Sequence, residues 1–404
     1  MKRLVWILAI LMLASPAWAA RKITVGQLED LLRSLQQENK IDVDVAAQLK
    51  QIELTEELTR KAMNGMVKYV PGPLSTEQIY VLEARSADLI PPASDLPATT
   101  APDAAARQTI LARAEAYVTK TYEQLPSLTA TKATLRFQDN MEAIASCSGM
   151  VGCAKEYVDA PPGYSNPASS VHYISAAVAP VESEHGAEKL TPEKDKTTWG
   201  ANRMIALREP DPSLGVIFQE AQAVGSIQWL RWELVNDRQV AVYSFAVPRA
   251  TAHLTVDICC FPNINQTGIA RFYNPLTANT IAGDEARGGG VGGVTGNFQT
   301  YTEWRDYKAI APYHGEFFID PDTGIVVRMI TEAELNPSDV VHQVDTRIDY
   351  GPVKVGARVL VAPVRTIVNT EVVPNGTSGV GGYSTRRTLF TSEYKDYQPA
   401  AAAR

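Results

Sequence analysis

The chain has 404 residues and a formal net charge of −7 at pH 7, and 45% of its residues are hydrophobic while 21% are charged. These proportions are ordinary for a folded globular protein, and the length suits two or three domains. The acidic balance, without any basic run, argues against nucleic acid and anionic membrane surfaces as main partners.

Residues 1–19 have the pattern of a secretory signal peptide. Lys2 and Arg3 precede an apolar run, Leu4–Ala14, that is shorter than the ~20 residues a membrane span needs. Small residues at Ala17 and Ala19 provide a cleavage site. We predict cleavage near Ala19 and a periplasmic or secreted protein that does not span the membrane after signal removal, with a retained membrane anchor as the alternative.

Residues 20–90 predict a small helical module. Apolar residues at helical spacing indicate one helix over Val25–Gln37 and a second from about Asp42 to about Met66. The segment Ser75–Gln78 has the sequence of a capping box, which predicts the start of a third helix. We expect this module to serve in packing or in interaction.

The remaining chain divides into a linker, one helix and a sheet domain. Residues 91–102 are rich in Pro, Ala and Thr, which is typical of a linker, and residues 103–125 predict a helix capped by Asp103. Over residues 126–398 the hydrophobic period changes to two, which predicts an antiparallel sheet domain with long loops, and residues 399–404 form a tail. Before the last third of the chain, the predicted strands and the one helix are Leu128–Asp139, Val171–Val181, Leu214–Ala223 (the helix), Ser226–Val235, Gln239–Val247 and His253–Phe261.

The stretch from Tyr313 to Tyr397 predicts a continuous antiparallel meander. Its first hairpin turns at Asp320–Gly324, where Pro presets the turn, Gly accepts a positive φ and the Asp side chains bond nearby amides. A second turn is expected at Gly351-Pro352. Between the turns, one face has Val340, His342, Val344, Thr346, Ile348 and Tyr350, and the other has Val341, Gln343, Asp345, Arg347 and Asp349.

This alternation is typical of a sheet that is covered on one face and exposed to water on the other. Together with the N-terminal helices, it predicts an α+β fold in which a helical module accompanies a strongly curved, half-barrel-like antiparallel sheet. The identity of whatever covers the apolar face is then the functional question.

Four cysteines are candidates for disulfides: Cys147, Cys153, Cys259 and Cys260. Disulfides are the default in an oxidising compartment, and four cysteines allow three pairings. Cys147 and Cys153 flank a short Gly-containing loop and are the first expected pair. One option for the adjacent Cys259 and Cys260 is a strained vicinal disulfide, but their side chains point to opposite faces if they lie in a strand. The alternatives for the cysteines are free buried thiols and metal or redox chemistry.

No motif in the chain predicts catalysis, a metal site or a cofactor. The cysteine spacing lacks the paired Cys-x-x-Cys or His partner of a zinc site, and no Gly-x-Ser-x-Gly motif occurs. The run Gly288–Gly293 fits the spacing of a dinucleotide-binding loop, but no βαβ unit surrounds it, so we predict a surface loop. The five histidines are scattered, at His172, His185, His253, His314 and His342.

Four aromatic residues of the central hairpin are the candidate ligand-binding residues. They are Trp229, Trp232, Tyr243 and Phe245. Strand alternation predicts that Trp229 and Trp232 face opposite sides of the sheet. The set indicates either sheet core beneath a covering helix or, in part, an apolar groove for a ligand or acyl chain.

Several motifs resemble a family of secreted bacterial proteins with no assigned activity. These motifs are Gln27–Leu32, Leu54–Leu58, Leu125–Ala130, Tyr313–Gly324, Ile348–Gly356 and Phe390–Tyr397. More remotely, a strand, an Asp-Pro-x-x-Gly turn and a strand ending in Arg328 resemble the half-barrel of outer-membrane lipoprotein carriers and related envelope-stress regulators. That resemblance implies a curved sheet around an apolar cavity plugged by helices, and it assigns no active-site residue.

The leading functional hypothesis is a non-catalytic protein that binds an apolar ligand, an acyl chain, a lipid-modified protein or another envelope partner in the concave face of the sheet. One alternative is an envelope scaffold or sensor that acts through protein–protein contacts of the helical module. It predicts a filled sheet interior and an exposed apolar patch on the helices. The other alternative is a hydrolase of unknown substrate, which requires His, Asp and Ser or Cys close together in a pocket.

Overall fold

The structure is a computed structural model that describes residues 21–139, 142–144, 156–158, 171–189, 207–208, 213–262, 304–336, 339, 341–372 and 386–400. It is an α+β fold built on an open antiparallel sheet of ten strands, as the sequence predicts. The predicted signal peptide, Cys147, Cys153 and the Gly-rich loop lie outside the described residues, and so do the side chains of Cys259 and Cys260.

The N-terminal module has four helices and a two-stranded parallel sheet. Its elements are β1 (Arg21–Ile23), α1 (Val25–Gln37), α2 (Asp42–Leu49), β2 (Ile52–Leu54), α3 (Arg60–Met66) and α4 (Pro73–Arg85), with a short 3-10 turn at Val67–Tyr69. Apolar side chains from these elements, among them Leu28, Leu49 and Ile79, form a core of the module's own. The module therefore folds around its own interior and presents its outer side chains to the sheet.

Two helix predictions in the module are wrong. The single helix expected from Asp42 to Met66 is interrupted, because Ile52–Leu54 pairs with β1 and Thr59 caps a new helix at Ala62 N. The third helix begins at Pro73 rather than at the predicted capping box. The carboxylate of Asp42 accepts hydrogen bonds from the amides of Leu74 and Ser75, so this cap comes from another helix.

A segment with a 3-10 turn at Ala93–Asp95 leads to α5 (Ala104–Tyr117), which is capped by Asp103 and continues as a π-helical turn at Val118–Tyr122. The last described helix, α6 (Leu214–Ala223), has the predicted bounds. Both helices lie against the sheet.

The main sheet is antiparallel throughout and has the strand order β7-β6-β3-β17-β16-β15-β14-β13-β10-β9. Its strands are β3 (Leu128–Asp139), β6 (Val171–Glu184), β7 (Ala187–Glu188), β9 (Gln228–Val235), β10 (Arg238–Val247), β13 (Tyr313–Ile319), β14 (Val326–Ala333), β15 (Val341–Val355), β16 (Arg358–Val372) and β17 (Arg386–Pro399). Smaller sheets pair β4 (Glu142–Ile144) with β5 (Glu156–Val158), and β8 (Leu207–Arg208) and β12 (Trp304–Ile310) with β11 (Thr255–Pro262).

The turns of the meander are partly as predicted. The side chain of Asp320 accepts from the amides of Asp322 and Thr323, and Gly324 has a φ of +75°, as expected for this turn. The turn predicted at Gly351-Pro352 is wrong, because β15 continues through both residues and reverses only after Val355. Pro352 pairs with Val361 of β16 and lies beyond Asp349, where the pairing of β15 with β14 ends. A proline is tolerated where one edge of a strand is unpaired.

The two faces of the sheet are covered by different means. We call the first the aromatic face, because Tyr243, Phe245, Tyr313 and Phe317 pack there against α5 and α6. We call the second the charged face, because its buried side chains include Arg328, Asp345, Arg347 and Arg365. The helical module covers the charged face.

The polar side of β15 was expected to face water, and this expectation is wrong. Asp345 and Arg347 are 6% and 7% exposed, because the module lies over them. The alternation correctly placed Asp345, Arg347 and Asp349 on one face, but a register shift between Val341 and Gln343 moves Val341 to the other face, into one core cluster with Val344. The pattern also carried no information about a second covering layer.

A bulge also corrects the placement of the tryptophans. Trp232 pairs with Ala241 and Trp229 pairs with Tyr243, so β9 has one extra residue, Leu230, at this point. The extra residue reverses the alternation. Both indoles therefore lie on the aromatic face, with ring centroids 4.9 Å apart.

Candidate functional site

The four aromatic residues singled out in the sequence come together on the aromatic face. Tyr243 and Phe245 are buried, and the hydroxyl of Tyr243 donates to the carbonyl of Arg107 on α5 at 2.9 Å. Trp232 Nε1 donates to the carbonyl of Thr100 at 3.0 Å. These contacts make the aromatic set part of a core under α5 and the preceding segment, and the cavity described below includes none of the four rings.

The charged face is held to the module by buried ion pairs. Arg347 Nη1 lies 2.5 Å from Glu57 Oε1 and also donates to the carbonyl of Ala87. Arg365 forms a two-pronged pair with Glu83, both contacts at 2.6 Å. Each arginine comes from the sheet and each glutamate from the module, so these pairs fix how the module sits.

Asp349 lies between the arginines of the charged face. Its Oδ1 accepts from Arg328 Nε at 2.7 Å and from Arg347 Nε at 3.2 Å. Burial alone would raise the pKa of Asp349, but Arg347, Arg328 and Arg365 together hold it well below its usual range. The carboxylate is therefore ionised and balances the arginine row.

The row of charges continues to the edge strand β9. Arg231 pairs with Glu316 through two contacts of 2.8 Å and with Glu233 at 2.8 Å. Glu233 is 1% exposed, and burial raises its pKa to about 7 against the opposing effect of Arg231 and Arg328.

A cavity of about 210 Å³ opens between the module and the charged face. We call it the cleft. The module contributes Glu53, Arg85 and Asp88, and the charged face contributes Asp345 and Glu371. Further lining residues are Ile52, Leu54, Leu82, Ser86, Leu89, Val171, Gln343, Asn369, Thr370, Arg387, Thr388 and Leu389. The cleft is thus a mixed polar and apolar site at the contact of two parts of the fold.

Arg85 is the most unusual group in the cleft. It is the last residue of α4, where a cation is favoured by the helix dipole. Burial lowers the pKa of Arg85 and the nearby Arg387 lowers it further, against the opposing effect of the carboxylates of Glu53, Glu371 and Asp88. Among the residues that the structure describes, its guanidinium has no hydrogen-bond or ion-pair partner. A half-buried arginine with all its donors available is a ready anion-binding group.

Two carboxyl groups share the cleft with Arg85. Burial raises the pKa of Asp345 well above its usual value, and the charges of Asp88 and Glu332 raise it further. Burial also raises the pKa of Asp88, whose Oδ1 is sealed from solvent without a hydrogen-bond partner among described residues. Glu371 differs from both because it pairs with Arg387 at 3.1 Å.

The histidines that the structure places do not form a catalytic cluster with these groups. His253 Nδ1 lies 2.6 Å from Glu220 Oε1, and Tyr313 donates to Oε2 of the same carboxylate at 2.6 Å, which ties α6 to the sheet. His314 lies between Glu332 and Glu334. Within the described ranges, no group of three or more His, Cys, Asp or Glu side chains is arranged to hold a metal ion.

Comparison of the chain with protein-family models, with curated proteins and with solved structures finds no match. The resemblance to a family of secreted proteins and to lipoprotein carriers therefore stays a prediction. In the part of the chain that the structure describes, no helix has both the length and the apolar character needed to cross a membrane.

We did not predict from the sequence that the residues of the cleft form a site. Asp345, Arg347 and Asp349 alternate in sign along one face of β15, and an exposed strand has no need of such balanced charges. That balance is the signal that indicates burial. Arg85 and Asp88 gave no comparable signal, because an arginine and an aspartate near a helix end are ordinary surface residues.

Proposed function

We propose that this protein is a non-catalytic binding protein whose cleft holds a small carboxylic acid, with the carboxylate on Arg85. The observation that carries the proposal is the unpartnered guanidinium of Arg85 inside a cavity. Arg85 is half-buried, and the partial removal of a cation from water without a hydrogen-bond partner costs free energy, which a bound anion would recover.

The charges of the cleft favour a ligand with one negative charge. Arg387 is already paired with Glu371, and Glu53 adds a second carboxylate to the lining. A dianion such as phosphate would meet these carboxylates with twice the charge of a carboxylate ligand. A planar carboxylate also matches the two-pronged donor geometry of arginine.

The rest of the lining favours a short aliphatic tail. Ile52, Leu54, Leu82, Leu89 and Leu389 line the same cavity as Arg85. The volume of about 210 Å³ is below the ~300–1,000 Å³ typical of pockets for drug-sized ligands. The cleft therefore suits a metabolite-sized acid, and the proposal moves the binding site from the aromatic face to the charged face.

The test is the thermal unfolding and calorimetric titration of the purified protein with hexanoate, with hexanol and inorganic phosphate as matched probes. We expect hexanoate alone to raise the unfolding temperature and to bind with measurable heat. Arg85→Met should abolish this response, because the group that holds the carboxylate is gone.

Arg358→Met, at the exposed first residue of β16, is the control and should bind hexanoate as the wild type does. An equal response of Arg85→Met and wild type to hexanoate, or an equal response to hexanol, would refute the proposal.

A second candidate function is protein binding through the helical module. Ile41, Val43 and Leu74 are 64%, 59% and 46% exposed, and they are brought together by the bonds of Asp42 to the amide of Leu74. Exposed apolar side chains that cluster are typical of interaction surfaces. Cross-linking in cell extract should capture a partner with the wild type and with Arg85→Met, but not with the double variant Ile41→Asp, Val43→Asp.

A further inference from the structure

Two carboxyl groups line the cleft together with Arg85, and their charges affect the binding of an anion there. Asp345 and Asp88 come from opposite walls, one from β15 and the other from the segment after α4. The side-chain amide of Gln343 donates to Asp345 Oδ2. The two carboxyls and Arg85 therefore line one small cavity, and the charge of Asp88 acts on both Arg85 and Asp345.

The groups that face Asp345 are mostly acidic. From the module it faces Asp88, from β14 Glu332 and from β16 Glu371, while Gln343 lies on its own strand. Asp88 in turn faces Glu332 and Glu57, and the cations Arg347 and Arg85 both interact with it. Burial and these neighbours favour the protonated form of both carboxyls, as the raised pKa values of Asp345 and Asp88 indicate.

We infer that the cleft binds its carboxylate together with a proton, which is taken up by the pair Asp345 and Asp88. This inference rests on the proposed function of the cleft. A bound anion adds a negative charge beside both carboxyls and so favours their protonated forms still more. The cleft takes up the ligand as carboxylate on Arg85 plus one proton on the acid pair, which makes it a site for a carboxylic acid rather than for a free anion.

The direction of the pH dependence follows from linkage. If binding takes up a proton, the affinity falls as the pH rises through the range in which the acid pair loses its proton. The dissociation constant then rises by at most about tenfold per pH unit for each proton taken up. A site without this coupling shows no slope as long as the ligand itself stays ionised.

The experiment is calorimetric titration of the full chain with hexanoate from about pH 6 to about pH 8.5, where an ordinary carboxylate ligand stays ionised. Each titration is repeated in two buffers of different ionisation enthalpy, so that the number of protons taken up is measured directly. We expect weaker binding at higher pH and net proton uptake in the wild type. Asp345→Asn should bind with a flatter pH profile and less proton uptake.

Asp88→Asn provides the second variant in case Asp345→Asn fails to fold, and it should also reduce proton uptake. Hexanoate binding without a pH slope or proton uptake would overturn this inference and leave the proposed function standing. An unchanged slope in both variants would also overturn it, because the proton would then reside elsewhere. Absence of hexanoate binding at every pH would overturn both the inference and the function it rests on.

Discussion

Helices cover both faces of the ten-stranded sheet, but the contacts between helices and sheet are apolar on the aromatic face and ionic on the charged face. On the aromatic face, the ring of Phe317 stacks on that of Phe245 and packs against that of Phe218 on α6, with ring centroids 4.2 Å and 5.1 Å apart. On the charged face, Arg347 and Arg365 reach carboxylates of the module. The first contact gains free energy from the removal of apolar surface from water, whereas the second must first recover the cost of desolvating its charges.

The apolar and ionic contacts suit the two faces to different roles. An apolar interface is tolerant of small shifts and supplies stability, whereas buried ion pairs supply little net stability and hold one geometry. The cleft lies on the charged face, where the position of Arg85 relative to Asp345 depends on how the module sits. Our hypothesis is that the ion pairs are retained because they set that position.

The largest expected effect is on the aromatic face. Phe317→Ala removes a fully buried ring between two other rings and should lower the free energy of unfolding by about 3–5 kcal/mol, because a cavity is left. Urea unfolding followed by tryptophan fluorescence measures the loss. Val359→Ala, at a position that is 70% exposed, is the control and should change stability very little. A loss at Phe317 no larger than that control would contradict our description of this face.

The next effect tests the charged face with a double-mutant cycle. Arg365→Met leaves the buried Glu83 with only the longer contact of 3.9 Å to Arg60 Nε and should cost about 3 kcal/mol. Adding Glu83→Leu removes the stranded charge and should restore most of the loss, since replacing both partners of a buried pair by apolar groups is often nearly neutral. On the aromatic face we expect no such recovery, because a second truncation there removes further apolar contacts. Additive losses in the double variant would show that Arg365 and Glu83 are not energetically coupled and would contradict our description of this pair.

Much of this architecture was predictable from the sequence, because alternation along strands and apolar spacing along helices are local signals. The bounds of α1 and α6 and the hairpin of β9 with β10 follow from such patterns. The pairing of Arg347 with Glu57 was not predictable, because it joins residues far apart in the chain. The bulge at Leu230 was missed for another reason, since a single extra residue leaves no trace in composition.

Lowering the pH is expected to have a smaller effect on the free energy of unfolding. The pKa of Asp349 is held below its usual range, so its contribution to stability is complete above the unfolded-state value near ~4 and is lost as the pH falls below it. Asp349→Asn should therefore be less stable than wild type at neutral pH, and its stability should change less between about pH 5 and about pH 2. Unfolding curves in this range measure both slopes. Parallel slopes would show that Asp349 is not the group that titrates.

The smallest effect on stability is expected at the solvent-exposed edge of the contact between the module and the charged face, which we call the rim. Arg60 Nη1 lies 3.1 Å from Glu393 Oε1 and Arg60 Nε lies 3.9 Å from Glu83 Oε1, but the side chains of Arg60 and Glu393 are 44% and 39% exposed. Water screens such a pair, so Arg60→Ala should cost about 0.2–1 kcal/mol, several times less than Arg365→Met, although both arginines join the module to the sheet. Added salt should reduce the difference between wild type and Arg60→Ala while leaving the buried pair nearly unaffected. Equal costs at both positions would mean that burial is not what separates the rim from the centre of this interface.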